Sequence, residues 1–215
     1  ENDCYILPES LSDEDAVMIE PTTIAIQSCT RAELEKEDML LIYGAGALGS
    51  SILKIAHTIC DHIIVADIMD DKLAEAKQNG ASYTINVATE NFQEKVLEYT
   101  KGRGATVSID AACVKNSLLL LLQATGNAGR VITMGFSTAA TEVNQFLITS
   151  KELDVRGSRL QNKMFGKAIE MIEKGTLDLN HSISHTFPLT KAHKAFDFVD
   201  SRDPSIRKIV FTFDF

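Results

Sequence analysis

The feature that most constrains this chain is the run MLLIYGAGALGSSILKIA, residues 39–56, in which an aliphatic stretch breaks at Gly44, Gly46 and Gly49 and then resumes. Glycine loses more conformational freedom on folding than any other residue, so three of them inside a core must each answer a geometric need. The pattern G-A-G-A-L-G follows a predicted strand and opens a predicted helix, which is the context of a dinucleotide-binding turn. In that reading Gly44 makes the tight turn, Gly46 lets a pyrophosphate approach the backbone, and Gly49 lets the helix pack closely on the sheet. Ala47 and Leu48 begin the helix, whose free N–H groups and partial positive charge suit phosphates. Roughly 20 residues further on, Asp67 ends the next strand in HIIVADIMDDK, where a carboxylate can accept hydrogen bonds from both ribose hydroxyls of the adenosine. The same charge repels a 2'-phosphate, so NAD is favoured over NADP. Lys72 lies a turn beyond, within reach of the ribose or the adenine edge, although a lysine on such a helix is equally at home in solvent. An adenosylmethionine-dependent methyltransferase also combines a glycine-rich first turn with a second-strand acid. Six βα-type strands without a C-terminal antiparallel hairpin speak against it.

From residue 39 onward, aliphatic runs alternate with helical patterns, with strands expected near 39–43, 62–67, 82–86, 105–110, 129–134 and 153–157. Helices are expected near 47–59, 70–79, 91–100, 115–124 and 143–150. Such alternation implies right-handed crossovers and a parallel sheet covered on both faces, an α/β fold of the doubly wound Rossmann kind with six strands. The five consecutive leucines 118–122 read as core. Both ends differ from this middle. Residues 1–11 read as extended, Ser12 caps a short acidic helix, and Pro21 breaks or restarts it. Beyond Gly157 come a helix near 163–174, the segment SISHTF, a helix near 190–200 and the strand-like IRKIVFTFDF. These end strands find no place in the central sheet. The expected organisation is a linker over 1–20, a nucleotide-binding domain over 21–160, and a separate C-terminal part over 161–215.

A formal net charge of -9 argues against nucleic acid or an anionic membrane as partner, since both would repel an acidic surface. No run of apolar residues reaches the length of a transmembrane helix and the first residues lack a signal-peptide pattern, so a cytoplasmic location is the expectation. Cys4, Cys29, Cys60 and Cys113 are scattered and read as buried or half-buried free thiols.

With these motifs in view, the chain resembles the zinc-dependent medium-chain alcohol and polyol dehydrogenases, the sorbitol dehydrogenases above all. The segments LPESLSDEDAVMIEPTTIAIQSC, GAGALG, VADIMDDKLAEAKQNGA, SIDAAC, GRVITMGF, LDVRGS and AIEMIEKGTLDLNHSISHTFPLTKAHKAF occur in the family's order. The resemblance implies hydride transfer between NAD and a secondary alcohol of a polyol or sugar acid. It also implies that the zinc-bearing catalytic domain of such enzymes is mostly missing, with a remnant at both chain ends: residues 1–20 as its end and linker, and 161–215 as the C-terminal return to it. The fragment is therefore expected to bind NAD without turning over and to hold no zinc. Glu20, in MIEPTT, matches a family carboxylate at the catalytic zinc or its water. Read by itself it is a glutamate at a helix junction, biased away from helical geometry by Pro21. Ala111 and Ala112 with Cys113, and Met134, Gly135 and Phe136, match positions along the nicotinamide half of the cofactor. As residues, they are equally consistent with ordinary strand ends. Arg159 lies one position before the arginine of sorbitol dehydrogenases, where this chain has Leu160. The family pairs the edge strand 153–157 across a two-fold axis, which implies a homodimer. His57, His62, His181, His185 and His193 form no metal-binding spacing and are expected to have no catalytic part. Two other readings remain: a self-contained NAD(H)-binding regulatory module, and a zinc-free quinone reductase of the same superfamily.

Overall fold

The computed structural model describes residues 4–9, 11–177, 179, 183–201, 203 and 205–213. Two helices, α1 (Asp13–Ala16) and α2 (Ile19–Arg31), precede the sheet. Six strands then build it: β1 (Met39–Tyr43), β2 (His62–Asp67), β3 (Tyr83–Asn86), β4 (Ala105–Asp110), β5 (Thr125–Thr133) and β6 (Asp154–Gly157). All are parallel, in the order β3-β2-β1-β4-β5-β6, the doubly wound Rossmann arrangement. Crossovers are made by α3 (Ala47–His57), α4 (Asp70–Gln78), α5 (Phe92–Tyr99), α6 (Ser117–Ala124) and α7 (Gln145–Lys151).

Alternation along each strand divides the core in two. Leu40 and Ile42 of β1 belong to the layer holding Ile26 and Cys29 of α2 and Leu53 of α3. Leu41, between them, belongs to the opposite layer with Phe92 of α5 and Leu121 of α6. All three β1 residues are fully buried, which is why the central strands read as unbroken apolar runs.

Four expectations need correction. Glu20 is helical: it is the second residue of α2, and Pro21 the third. In a first turn a proline neither removes an intrahelical hydrogen bond nor meets a carbonyl one turn back, so it restarts the chain as helix rather than bending Glu20 out. The five leucines are not all core, because Leu121 and Leu122 are buried while Leu118, Leu119 and Leu120 are half-buried. A helix of eight residues lying on a sheet can bury only one side. Strand β5 starts at Thr125 rather than near 129, with a register shift between Ala105 and Val107 that absorbs the extra residues. Finally, α2 is a full helix of 13 residues that carries much of one core layer, where the sequence indicated only a restart.

The C-terminal part contributes α8 (Phe165–Glu173), whose Ala168 and Ile169 join the α2 layer. Strands β7 (His185–Pro188) and β8 (Ile209–Thr212) pair with each other apart from the large sheet, with α9 (Ala192–Asp200) between them in the chain. Phe198 of α9 meets His185 edge-on at 4.7 Å between ring centres. His181 lies outside the described residues.

One ionic cluster joins α2 to the sheet. Arg130 Nη2 lies 2.6 Å from Asp38 Oδ1, and its Nη1 donates to the carbonyls of Ala32 and Glu33 that end α2. Asp38 Oδ1 also accepts from Thr106 Oγ1 at 2.7 Å, and its Oδ2 from Glu35 N at 2.8 Å. Asp38 is 6% exposed, so removing its partner strands a charge away from water. Arg130→Ala is expected to cost about 3 kcal/mol in urea unfolding, and a loss below about 1 kcal/mol would show the cluster to be solvated.

Candidate functional site

The carboxyl ends of parallel strands in an open α/β sheet are where ligands sit, and the predicted residues gather there. Gly44 follows β1 with φ +105°, and a Cβ on it would lie 2.8 Å from the backbone nitrogen of Ala112. Gly49, in the first turn of α3, is held still closer: its Cβ would fall 1.8 Å from the carbonyl oxygen of Gly44. Gly46 differs in kind, because a Cβ there would meet nothing within 4 Å. It is the N-cap of α3, so the backbone of Gly46, Ala47 and Leu48 opens onto free space at a positively polarised helix end. Gly44 and Gly49 are thus close backbone approaches, and Gly46 faces open space.

Asp67 ends β2 half-buried. Its Oδ2 accepts from Ala45 N at 2.6 Å, and its Oδ1 from Ile68 N at 2.8 Å and Met69 N at 3.1 Å. Three backbone donors therefore fix the carboxylate beside the glycine turn, and a carboxylate still has lone pairs to offer. Ile68 is 65% exposed beside it, an apolar face next to the acid that the motif search passed over. Lys72 borders a small gap with Ala45 and Gly49, but its ammonium makes no contact with Asp67 among the described residues.

The ends of β4 and β5 form the other side. Ala111 and Ala112 donate to the carbonyl of Tyr43, at 2.9 and 2.8 Å, which locks their turn to the end of β1. Asp110, only 2% exposed, holds that turn from below. Its Oδ1 accepts from Cys113 N at 2.8 Å and its Oδ2 from Ser117 Oγ at 2.6 Å. An acid closing a strand, seven residues before a helix-opening serine, was the available signal for this positioning role. Burial, reinforced by the Asp110 charge, pushes the Cys113 thiol up to about 11, so it stands protonated in this site at neutral pH. Burial likewise raises the Tyr43 hydroxyl, with Asp110 and Asp67 adding to the shift.

Met134 is buried, whereas Gly135 and Phe136 are exposed, and a Cβ on Gly135 would lie 3.7 Å from that of Cys113. The Arg159 guanidinium lies 5.9 Å from the centre of the Phe136 ring, so these two residues are brought together. Just beyond β6, Ser158 Oγ and Gln161 Oε1 are buried without a hydrogen-bond partner, as is Gln27 Oε1 on α2. Unsatisfied buried polar atoms at a strand end are groups that a polar ligand can satisfy. Arg207, which the sequence reading did not single out, lines a groove of about 480 Å³ with Ala47 and Ser50 of α3, and its Nε donates to Glu75 Oε2 at 2.6 Å.

Glu20 is exposed on α2, and among the described residues no group of three or more His, Cys, Asp and Glu could hold a metal ion. His57 packs against Gly80, His62 begins β2, and His185 Nδ1 pairs with Ser184 Oγ at 3.0 Å, all away from Glu20 in the chain.

Comparison with known proteins agrees with this geometry. The family described as zinc-binding dehydrogenase matches residues 47–174. The starvation-sensing protein RspB of Escherichia coli K12 is 34% identical over 209 residues, covering 96% of this chain and 61% of that protein. Sorbitol dehydrogenase of Rattus norvegicus is 29% identical over 197 residues, 90% of this chain and 55% of that one. Among solved structures, the alcohol dehydrogenase RspB of Escherichia coli CFT073, complexed with the cofactor NADH, superposes with a TM-score of 0.93 at 34% identity over 99% of this chain and 63% of that one. The chain therefore spans little more than half the length of these relatives. The family match over more than half of the chain, together with the glycine turn, the second-strand acid and the six-stranded parallel sheet, shows that this chain belongs to the zinc-binding dehydrogenase family.

Proposed function

We propose that this chain forms the NAD-binding part of a dehydrogenase that oxidises a secondary alcohol of a polyol or sugar acid to a ketone. The observation that carries the reading is Gly46: an extended backbone at the N-terminus of α3 with open space where a side chain would stand, directly beside a carboxylate fixed by three backbone donors. In this reading the N–H groups of Ala47 and Leu48 meet the pyrophosphate, with Arg207 across the groove adding positive charge. Asp67 accepts from the ribose hydroxyls, which selects NAD over NADP, and Ile68 offers an apolar surface to the adenine. Ala111, Ala112, Met134, Gly135 and Phe136 line the nicotinamide half, and Arg159, stacked on Phe136, closes its rim. A nicotinamide held there would supply the hydride acceptor for the alcohol carbon, with loss of the hydroxyl proton. The polyol substrate class is supported by the sorbitol dehydrogenases and by the erythritol/L-threitol dehydrogenase of Mycolicibacterium smegmatis, which is 30% identical over 196 residues.

In this reading Glu20, exposed in the first turn of α2, is a carboxylate near the zinc of the whole enzyme, and one carboxylate does not make a zinc centre. In our reading zinc therefore needs ligands from outside this chain, which alone binds the cofactor without turnover. Large exposed apolar residues in the terminal parts support a covering partner domain over a self-contained module: Ile6 is 95% exposed, Phe196 63% and Phe213 59%. All four cysteines are free, in keeping with a reducing, cytoplasmic setting; Cys29 and Cys60 are buried and Cys113 half-buried, but Cys4, in the terminal segment outside both core layers, is exposed rather than buried as expected. Among the described residues no helix is long and apolar enough to cross a membrane.

Three outcomes are expected. In calorimetric titration the chain binds NAD in preference to NADP, and Asp67→Ala weakens NAD binding by about 10- to 100-fold, the worth of hydrogen bonds to a charged group. Equal binding of both nucleotides would overturn the reading. Gly46→Ala keeps the unfolding free energy within about 1 kcal/mol while weakening NAD, whereas Gly49→Ala, which has no room for a Cβ, destabilises the fold itself by about 3 kcal/mol or more. Sedimentation should give a dimer formed along β6, which pairs only with β5 and leaves Val155 38% exposed, and Val155→Lys should shift it towards monomer.

A further inference from the structure

A parallel sheet has two ends, and the cofactor reading uses only one. At the other, the first residues of β1 to β5, namely Met39, His62, Tyr83, Ala105 and Thr125, border a cleft of about 900 Å³. It is separated from the glycine turn by the length of β1, roughly 15 Å at the rise of a strand.

The turn between α5 and β4 forms one wall, and its backbone is fully committed. Gly102 N donates to Leu97 O at 2.7 Å, Arg103 N to Thr100 O at 3.2 Å, and Gly104 N to Thr100 Oγ1 at 2.9 Å. Gly104 also abuts the start of β5, since a Cβ on it would lie 2.7 Å from Gly126 N. A rigid turn thus presents Lys101 and Arg103 at the cleft. Neither side chain has a hydrogen-bond or ion-pair partner among the described residues, unlike Arg130, Arg156 and Lys95, which all do. A third cation, Lys151 at the end of α7, also lines the cleft: its Nζ donates to the carbonyls of Leu122, Gln123 and Thr125. Burial lowers its pKa, yet three carbonyl acceptors favour the charged form. Against three cations the lining carries one acid, Glu37, in a chain whose net charge is -9. A concave surface of the opposite sign to the rest of the molecule focuses its field on anions.

The aromatic residues of the cleft narrow the ligand class. Tyr83 and Tyr99 stack on each other at 4.3 Å, and each also carries an ammonium over its ring, Lys77 at 5.9 Å and Lys95 at 5.7 Å. With the ring faces covered, a nucleobase has nothing to stack on, and a compact anion suits the cleft better.

We propose that this cleft is a second small-molecule site, separate from the nucleotide site, which binds a compact polyanion through the Arg103 guanidinium and the Lys101 ammonium. Arginine meets a carboxylate or phosphate with two parallel donors, and the flexible lysine takes a second negative group.

Citrate and pyrophosphate are the probes, titrated calorimetrically into the chain at ionic strength held constant with sodium chloride, with amide chemical shifts followed by NMR. The expected result is saturable binding of one or both, with shifts at Lys101–Gly104 and Gly126. Affinity should fall about tenfold or more in the Lys101→Gln, Arg103→Gln double variant and stay unchanged in Asp67→Ala and in the control Lys191→Gln. Citrate alone binding assigns the site to polycarboxylates, and pyrophosphate alone assigns it to phosphate compounds. The proposal is overturned if neither binds, if the folded double variant binds as well as the parent chain, or if the shifts fall at Gly46–Leu48 instead.

Discussion

The candidate site depends on how closely helix α3 lies on the end of strand β1. The backbone at Gly49 passes so near the carbonyl of Gly44 that no side-chain carbon fits between them. That contact sets the helix end low against the sheet, so its first free N–H groups face the space beyond β1 rather than bulk solvent. Any residue with a Cβ at Gly49 would push the helix away, and the polarised end would no longer face the position where Asp67 stands. Packing and the proposed binding are therefore one constraint: the turn is tight because the helix lies near, and only a helix this near can offer its terminus to the anion in the proposed reading.

Around that contact, charge is held by backbone rather than by opposite charge. Asp67 is fixed by the nitrogens of Ala45, Ile68 and Met69, and Asp110 by Cys113 N and Ser117 Oγ. Neither acid is spent on a cation in the site, so Asp67 keeps acceptor capacity for a ligand while Asp110 sets the turn opposite. The ion pairs concentrate elsewhere, at Arg130–Asp38 and Arg156–Glu33, where the segment ending α2 is tied to β5 and β6. The mechanical anchoring of the sheet and the ligand-facing polarity thus occupy different ends of the strands.

Much of this was legible along the chain because it is local. Strand β1, the glycine turn, α3, β2 and Asp67 lie within 29 consecutive residues, 39 to 67, so turn chemistry, helix start and acid can be read in a single window. What escaped the reading is non-local or set by context. Helix α2 was reduced to a restart because Pro21 and the polar TT and QSC stretches hid a face that is buried only when α3 and α8 cover it. The start of β5 was missed because Gly126 and Gly129 look like a turn until the close backbone of Arg103 and Thr106 is seen beside them. Asp110, Ile68 and Arg207 carry no motif, and each acquires meaning only from neighbours distant in sequence.

The sequence by itself determined the alternation of strand and helix, and hence a parallel doubly wound sheet with an acid and a glycine turn at one edge. Periodicity and turn stereochemistry act within a few residues and need no partner to be read. Tertiary structure alone decided the strand order, the meeting of Phe136 with Arg159, and the cationic cleft at the far edge, where Lys101, Arg103 and Lys151 converge from separate connections. Those features arise from closing long loops around a common core, and the free energy that fixes them is shared among contacts no single stretch of chain contains.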